Sequence, residues 1–187
     1  MRHTDRKARI AWWALAWVIV FLAFHVYWYA GWSFGHPGPL PGAPATVAGW
    51  VFQVLVVAAF PLGAGVTLAI ARGWELGRFH RAAVIVVALA TVMLILRGGA
   101  GVVDELARVT GVLPNGLTGL SREQVTGSAD PSAEVLWSGR ATDAYFLAGG
   151  LLFGLLWRAE AGYRSRLKGV SGRFWGSPST STSTNSS

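Results

Sequence analysis

His25, Arg97, Asp104 and Asp143 are the side chains of this sequence that could pass a proton or hold a small anion. Each lies inside, at the border of, or just beyond a long apolar run. His25 is the only titratable side chain other than tyrosine between Arg9 and His36. Ionisable groups at such depth cost free energy to keep in lipid, so they mark either a functional site or a paired structural one. Arg97 closes the third apolar run and Asp143 opens the fourth. With Trp28, one helical turn beyond His25, they form a candidate polar cluster of His25, Trp28, Arg97, Asp104 and Asp143.

Length arithmetic brings the charges together. Spanning the hydrocarbon takes about 20 helical residues. Only fifteen uncharged residues separate Arg81 from Arg97, and only fourteen separate Asp143 from Arg158. Arginines can snorkel outward, whereas the short Asp143 side chain has little reach. Opposite charges drawn below the interface at one level are expected to pair, because an unpaired one is costly. Asp104 follows Arg97 by about two turns and is expected to fold back over it through a turn at Gly98–Gly101.

Four elements must position these groups. Hydrophobic residues make up 52% of the 187 and charged residues 13%, about half the charge of a typical globular domain. The apolar runs predict an all-α integral membrane four-helix bundle, with helices at about 10–30, 47–71, 82–97 and 143–158. Outer loops 31–46 and 98–142 join them, and a short outer-face helix is expected within the second. Residues 1–9 form a basic N-terminus, 159–175 a basic segment, and 176–187 a low-complexity polar tail expected to be disordered.

Charge distribution sets the orientation. With the N-terminus inside, twelve basic residues fall on the cytoplasmic side, and only Arg97, Arg108, Arg122 and Arg140 fall outside. Six of the nine acids fall outside as well. This follows the positive-inside rule and assigns the net charge of +7 to topology and anionic lipid rather than nucleic acid. The expected location is a plasma membrane, multi-pass, with both termini cytoplasmic. The first run is too long for a signal-peptide core and ends in Trp and Tyr without a small-residue cleavage site, so it reads as a retained helix.

Aromatic residues stand near both ends of the first run, as interfacial belts do. Trp17, Phe21, Phe24, His25, Trp28 and Trp32 share one half of that helix, a stripe suited to packing. The Pro- and Gly-rich stretch from Gly31 to Thr46 is expected to lie flat as an extended cap. Pro61 predicts a kink in the second helix. Val102–Val109 reads as a short helix, Pro114-Asn115-Gly116 as a breaker, and Ser121-Arg122-Glu123-Gln124 as a capping box.

No nucleotide-loop, zinc-protease, nucleophile-elbow or calcium-loop pattern occurs. The absence of cysteine removes disulfides and thiolate metal sites. A haem held by two histidines would need both at one depth, and His36 lies in a Gly-Pro context unlike that of His25. No catalytic residue, metal site or cofactor is therefore assigned.

Three stretches carry a resemblance. His25 to Gly35, Leu96-Arg97-Gly98-Gly99 with Val102-Val103-Asp104-Glu105-Leu106, and Ala141-Thr142-Asp143-Ala144-Tyr145-Phe146-Leu147-Ala148-Gly149-Gly150 together resemble the uncharacterised, mostly actinobacterial membrane family known as domain of unknown function 3995. The resemblance implies a bacterial protein of about four spans and brings no activity with it. The expected function is that of a non-enzymatic membrane protein, structural or a small partner subunit. Its expected partners are the bilayer and either another membrane protein or further copies of itself. The alternative is a small transporter-like or sensor protein using the His/Arg/Asp cluster for a proton or small anion.

Overall fold

Helix formation follows the apolar runs and overshoots most of them. A computed structural model describes the backbone of residues 2–36, 38 and 46–174, and the side chains of these except 2–4, 52 and 162–174. The expected extended cap over 37–45, apart from Gly38, and the polar tail lie outside the described residues. The described chain is all helical, without strands: α1 Arg2–Tyr29, α2 Val47–Ala71, a 3-10 turn Gly77–Phe79, α3 His80–Val109, α4 Arg122–Thr126 and α5 Ala133–Phe174. Among the described residues three stretches, Asp5–Tyr29, Val47–Ala71 and Gly77–Val109, are long and apolar enough to cross a membrane. The chain is a membrane protein.

Several boundaries differ from expectation, among them the end of α5, which runs on to Phe174 through the basic segment instead of stopping near 158. α3 does not end near Arg97; it continues through Gly98–Gly101 and absorbs the short helix expected at Val102–Val109. Gly98 lies against the backbone of α5 and Gly101 against the Asp143 side chain, so their missing side chains serve close approach rather than a turn. α5 likewise begins ten residues before Asp143. At about 1.5 Å per residue, α3 is about 45 Å long and α5 about 63 Å, against a hydrocarbon layer of about 30 Å. The first helix also starts early, at Arg2, so the basic N-terminus is helical.

Local chemistry fixes the other ends. Thr46 caps α2 by accepting the Gly49 N–H at 3.1 Å. Gly73, at φ 66°, closes α2, with its own N–H on Ile70 O and that of Trp74 on Ala69 O. α2 passes through Pro61 as one helix, so Pro61 does not terminate it. α4 opens on the expected capping box: Ser121 accepts from Gln124 N–H while the Gln124 side chain accepts from Ser121 N–H.

Helices α3 and α5 pack along each other most extensively, α1 packs against both α2 and α5, and α2 meets α3 only sparsely. The tight core sits at the end bearing the N-terminus, here the proximal end. Ala11, Ala14, Trp17 and Val18 of α1 meet Ile70 and Ala71 of α2, Val87 of α3, and Phe153 and Leu156 of α5. The opposite, distal end carries the 110–132 connection and α4. Broad faces of Val, Leu, Ile and Trp on α2 and α3 remain exposed, as surfaces facing lipid do.

Candidate functional site

Arg97 and Asp143 meet because small residues let two antiparallel helices touch. A Cβ on Gly98 would lie 2.7 Å from both Asp143 O and Leu147 N, and one on Gly101 would overlap the Asp143 carboxylate. Farther along, Gly150 abuts Ile95 and Gly154 abuts Thr91. In this seam Arg97 Nη1 donates to Asp143 Oδ1 at 2.6 Å. The Asp143 side chain is 14% exposed and that of Arg97 54%. The guanidinium also lies 5.2 Å from the centroid of the Phe146 ring, a cation–π contact that holds it along α5.

Asp104 does not join this pair. With no turn at Gly98–Gly101, two further turns of rigid α3 carry it away from Arg97. Its carboxylate instead accepts from Arg108 Nε at 2.7 Å and from Leu117 N–H at 2.6 Å. Arg108 Nη1 reaches Leu120 O at 3.0 Å, so the two side chains fasten the 110–120 connection to α3. Gly116, at φ 64°, is required where a Cβ would collide with both of them. Next to them Glu105 accepts from Arg140 of α5 at 2.7 Å and lies 3.6 Å from Arg122. The distal end is thus a ladder of ion pairs.

His25 and Trp28 face a different neighbour. His25 Nδ1 lies 3.1 Å from Phe21 O, and its ring packs on Phe21, Trp28 and Phe60 of α2 at centroid distances of 4.3, 5.3 and 4.9 Å. Trp28 Nε1 donates to Phe34 O at 3.0 Å, tying down the start of the following loop. His36 meets Trp28 edge-on at 5.0 Å. Among the described residues no hydrogen bond or ion pair links His25 to Arg97, Asp104 or Asp143. The five-residue candidate cluster therefore divides into an Arg97–Asp143 pair, an Asp104–Arg108 loop clasp and a His25–Trp28 aromatic patch.

Two polar contacts were not anticipated from the sequence. Trp17 Nε1 donates to Tyr145 O at 2.9 Å while Tyr145 Oη donates to Trp17 O at 2.6 Å, with the rings stacked at 4.9 Å. Gly149 makes room, since a Cβ there would enter the Trp17 ring. At the proximal end Lys7 Nζ lies 2.9 Å from Glu160 Oε1, and Glu160 is 3% exposed. A signal for the first was the Gly149-Gly150 pair with Gly154 four residues on. For the second it was a lone acid, Glu160, among the basic residues following the fourth run.

The chain matches no family model, no curated protein and no solved structure.

Proposed function

We propose that this is a four-span protein of a bacterial plasma membrane, with both termini cytoplasmic, acting as a structural or partner subunit without a catalytic cycle. The apolar stretch of α5 is the fourth span. Its register supports this, since α5 runs antiparallel to α1 from Tyr145 opposite Trp17 to Glu160 opposite Lys7. It also runs antiparallel to α3, from Arg140 opposite Glu105 to Gly154 opposite Thr91. Asp143 at its distal border holds Arg97, and Glu160, just past Arg158 at its proximal border, holds Lys7, so both acids near its ends are matched by a cation from a neighbouring helix. Alkaline phosphatase fused after Gly119 should be active, and fused after Gly169 inactive; the reverse pattern ends the model.

The observation carrying the functional reading is that Arg97, Asp104 and Asp143 are all engaged by groups of the protein itself. Charges used this way fix helix positions. The alternative, a transporter-like or sensor role toward a proton or small anion, draws on the half-exposed Arg97 guanidinium. Substitution separates the two. Arg97→Ala should lower membrane abundance and destabilise the protein by about 1–3 kcal/mol, the cost of an under-satisfied carboxylate. Exchanging Arg97 and Asp143 should recover part of that loss. Normal abundance and melting in Arg97→Ala, with a deletion phenotype left uncomplemented, would favour the alternative. Co-purification in mild detergent then identifies the partner.

A further inference from the structure

Arg97 carries a guanidinium turned toward lipid. Asp143 holds it at Nη1 and the Phe146 ring lies 5.2 Å from it, yet the side chain stays half-exposed. Gly98 and Gly101 of the same helix face α5. Met93, Leu96 and Ala100, which flank Arg97 on the other side by helical spacing, are all exposed. The open side of the guanidinium therefore looks out of the bundle among small and apolar side chains. Asp143 does not compete for that side, since its carboxylate is tucked against Gly101 and mostly covered.

Depth decides what can meet it. Arg97 lies inside the apolar stretch Gly77–Val109 and follows Arg81 by sixteen residues, about 24 Å of helix. Against a hydrocarbon layer of about 30 Å, that leaves its Cα about 6 Å short of the distal boundary. An extended arginine side chain covers such a distance, so the guanidinium reaches the level of the distal headgroups. Among the described residues its only hydrogen bond is the one to Asp143, and Nε and Nη2 are left to acceptors supplied by the bilayer. The planar arginine fork matches two oxygens of a phosphate. We propose that Arg97 anchors a phospholipid site, in which the phosphodiester of one distal-leaflet lipid accepts from the guanidinium and an acyl chain runs toward Met93, one turn deeper. The site requires only that α3 crosses the bilayer, whichever way the protein is oriented.

The sequence contains no cysteine, so Met93→Cys carries a single thiol-linked fluorophore, attached in detergent before the full chain enters discs of glucosyl diacylglycerol. Phosphatidylglycerol brominated on its chains is titrated in, and compared with glucosyl diacylglycerol bearing the same brominated chains. The two lipids share their glycerol esters and differ in the phosphate. Quenching should favour the phospholipid by about tenfold, the worth of one charge-assisted hydrogen bond. A fluorophore at Leu62→Cys, on the exposed side of α2, should report no preference. Arg97→Met with Asp143→Leu, which replaces the pair by apolar groups of similar volume, should keep the melting temperature and bring the ratio at Met93→Cys to one. Equal quenching by the two lipids at Met93→Cys with the pair intact overturns the proposal. So does a preference as large at Leu62→Cys, or one that survives the double substitution.

Discussion

Gly98→Ala will separate α3 from α5, while Gly99→Ala next to it will be tolerated. Both changes replace glycine by the best helix former, a gain of about 1 kcal/mol in propensity. At Gly99 the new methyl finds its nearest neighbour at 4.0 Å, the tip of Leu147. At Gly98 it meets main-chain atoms of Asp143 and Leu147 at 2.7 Å, and a helix backbone cannot yield as a flexible side chain can. Overpacking ordinarily costs about 1–3 kcal/mol; here the helices must part, which also pulls Arg97 from Asp143, so a loss of about 3 kcal/mol or more is expected. Thermal unfolding in detergent, followed by helical circular dichroism, reads both variants. Equal melting of the two would show that the seam is looser than described.

Lys7→Met is expected to be the most damaging change at the proximal end. It leaves Glu160, nearly inaccessible to solvent, without the ammonium 2.9 Å away. Removing one member of a buried pair costs about 3–5 kcal/mol, whereas replacing both by apolar groups of similar volume is often neutral. Lys7→Met with Glu160→Leu should therefore be far more stable than Lys7→Met alone, and a double-mutant cycle in the same melting assay measures the coupling. A single variant melting with the unsubstituted protein would mean that Glu160 finds its stabilisation elsewhere.

Hydropathy made the three long apolar helices legible, and the short runs beside Arg97 and Asp143 pointed to those two charges lying close. What the runs could not reveal was how far a helix continues past its apolar part. Gly98–Gly101 reads locally as a breaker, and only the α5 backbone lying against it shows why α3 persists. The fate of Asp104 followed from that misreading, since a rigid α3 leaves it to Arg108 and Leu117. The neighbour of His25, Phe60 of α2, depends on helix rotation that an all-round apolar segment does not encode. The Trp17–Tyr145 exchange was hidden for another reason: each side chain bonds to a main-chain carbonyl, and carbonyls leave no mark in a sequence.

The uneven packing of the helices bears on how the protein meets membranes of different thickness. Along α5, glycine notches and ion pairs fix the axial position of α1 and α3, so a slip of one residue would drive side chains into backbone. Among its described residues α2 shows no such notch or ion pair: it leans on α1, barely meets α3, and leaves about half of its residues exposed. Hydrophobic mismatch is relieved by tilting whichever helix is cheapest to tilt. In a thinner or thicker bilayer the α1–α3–α5 unit therefore keeps its shape, and α2 is the helix that changes its inclination.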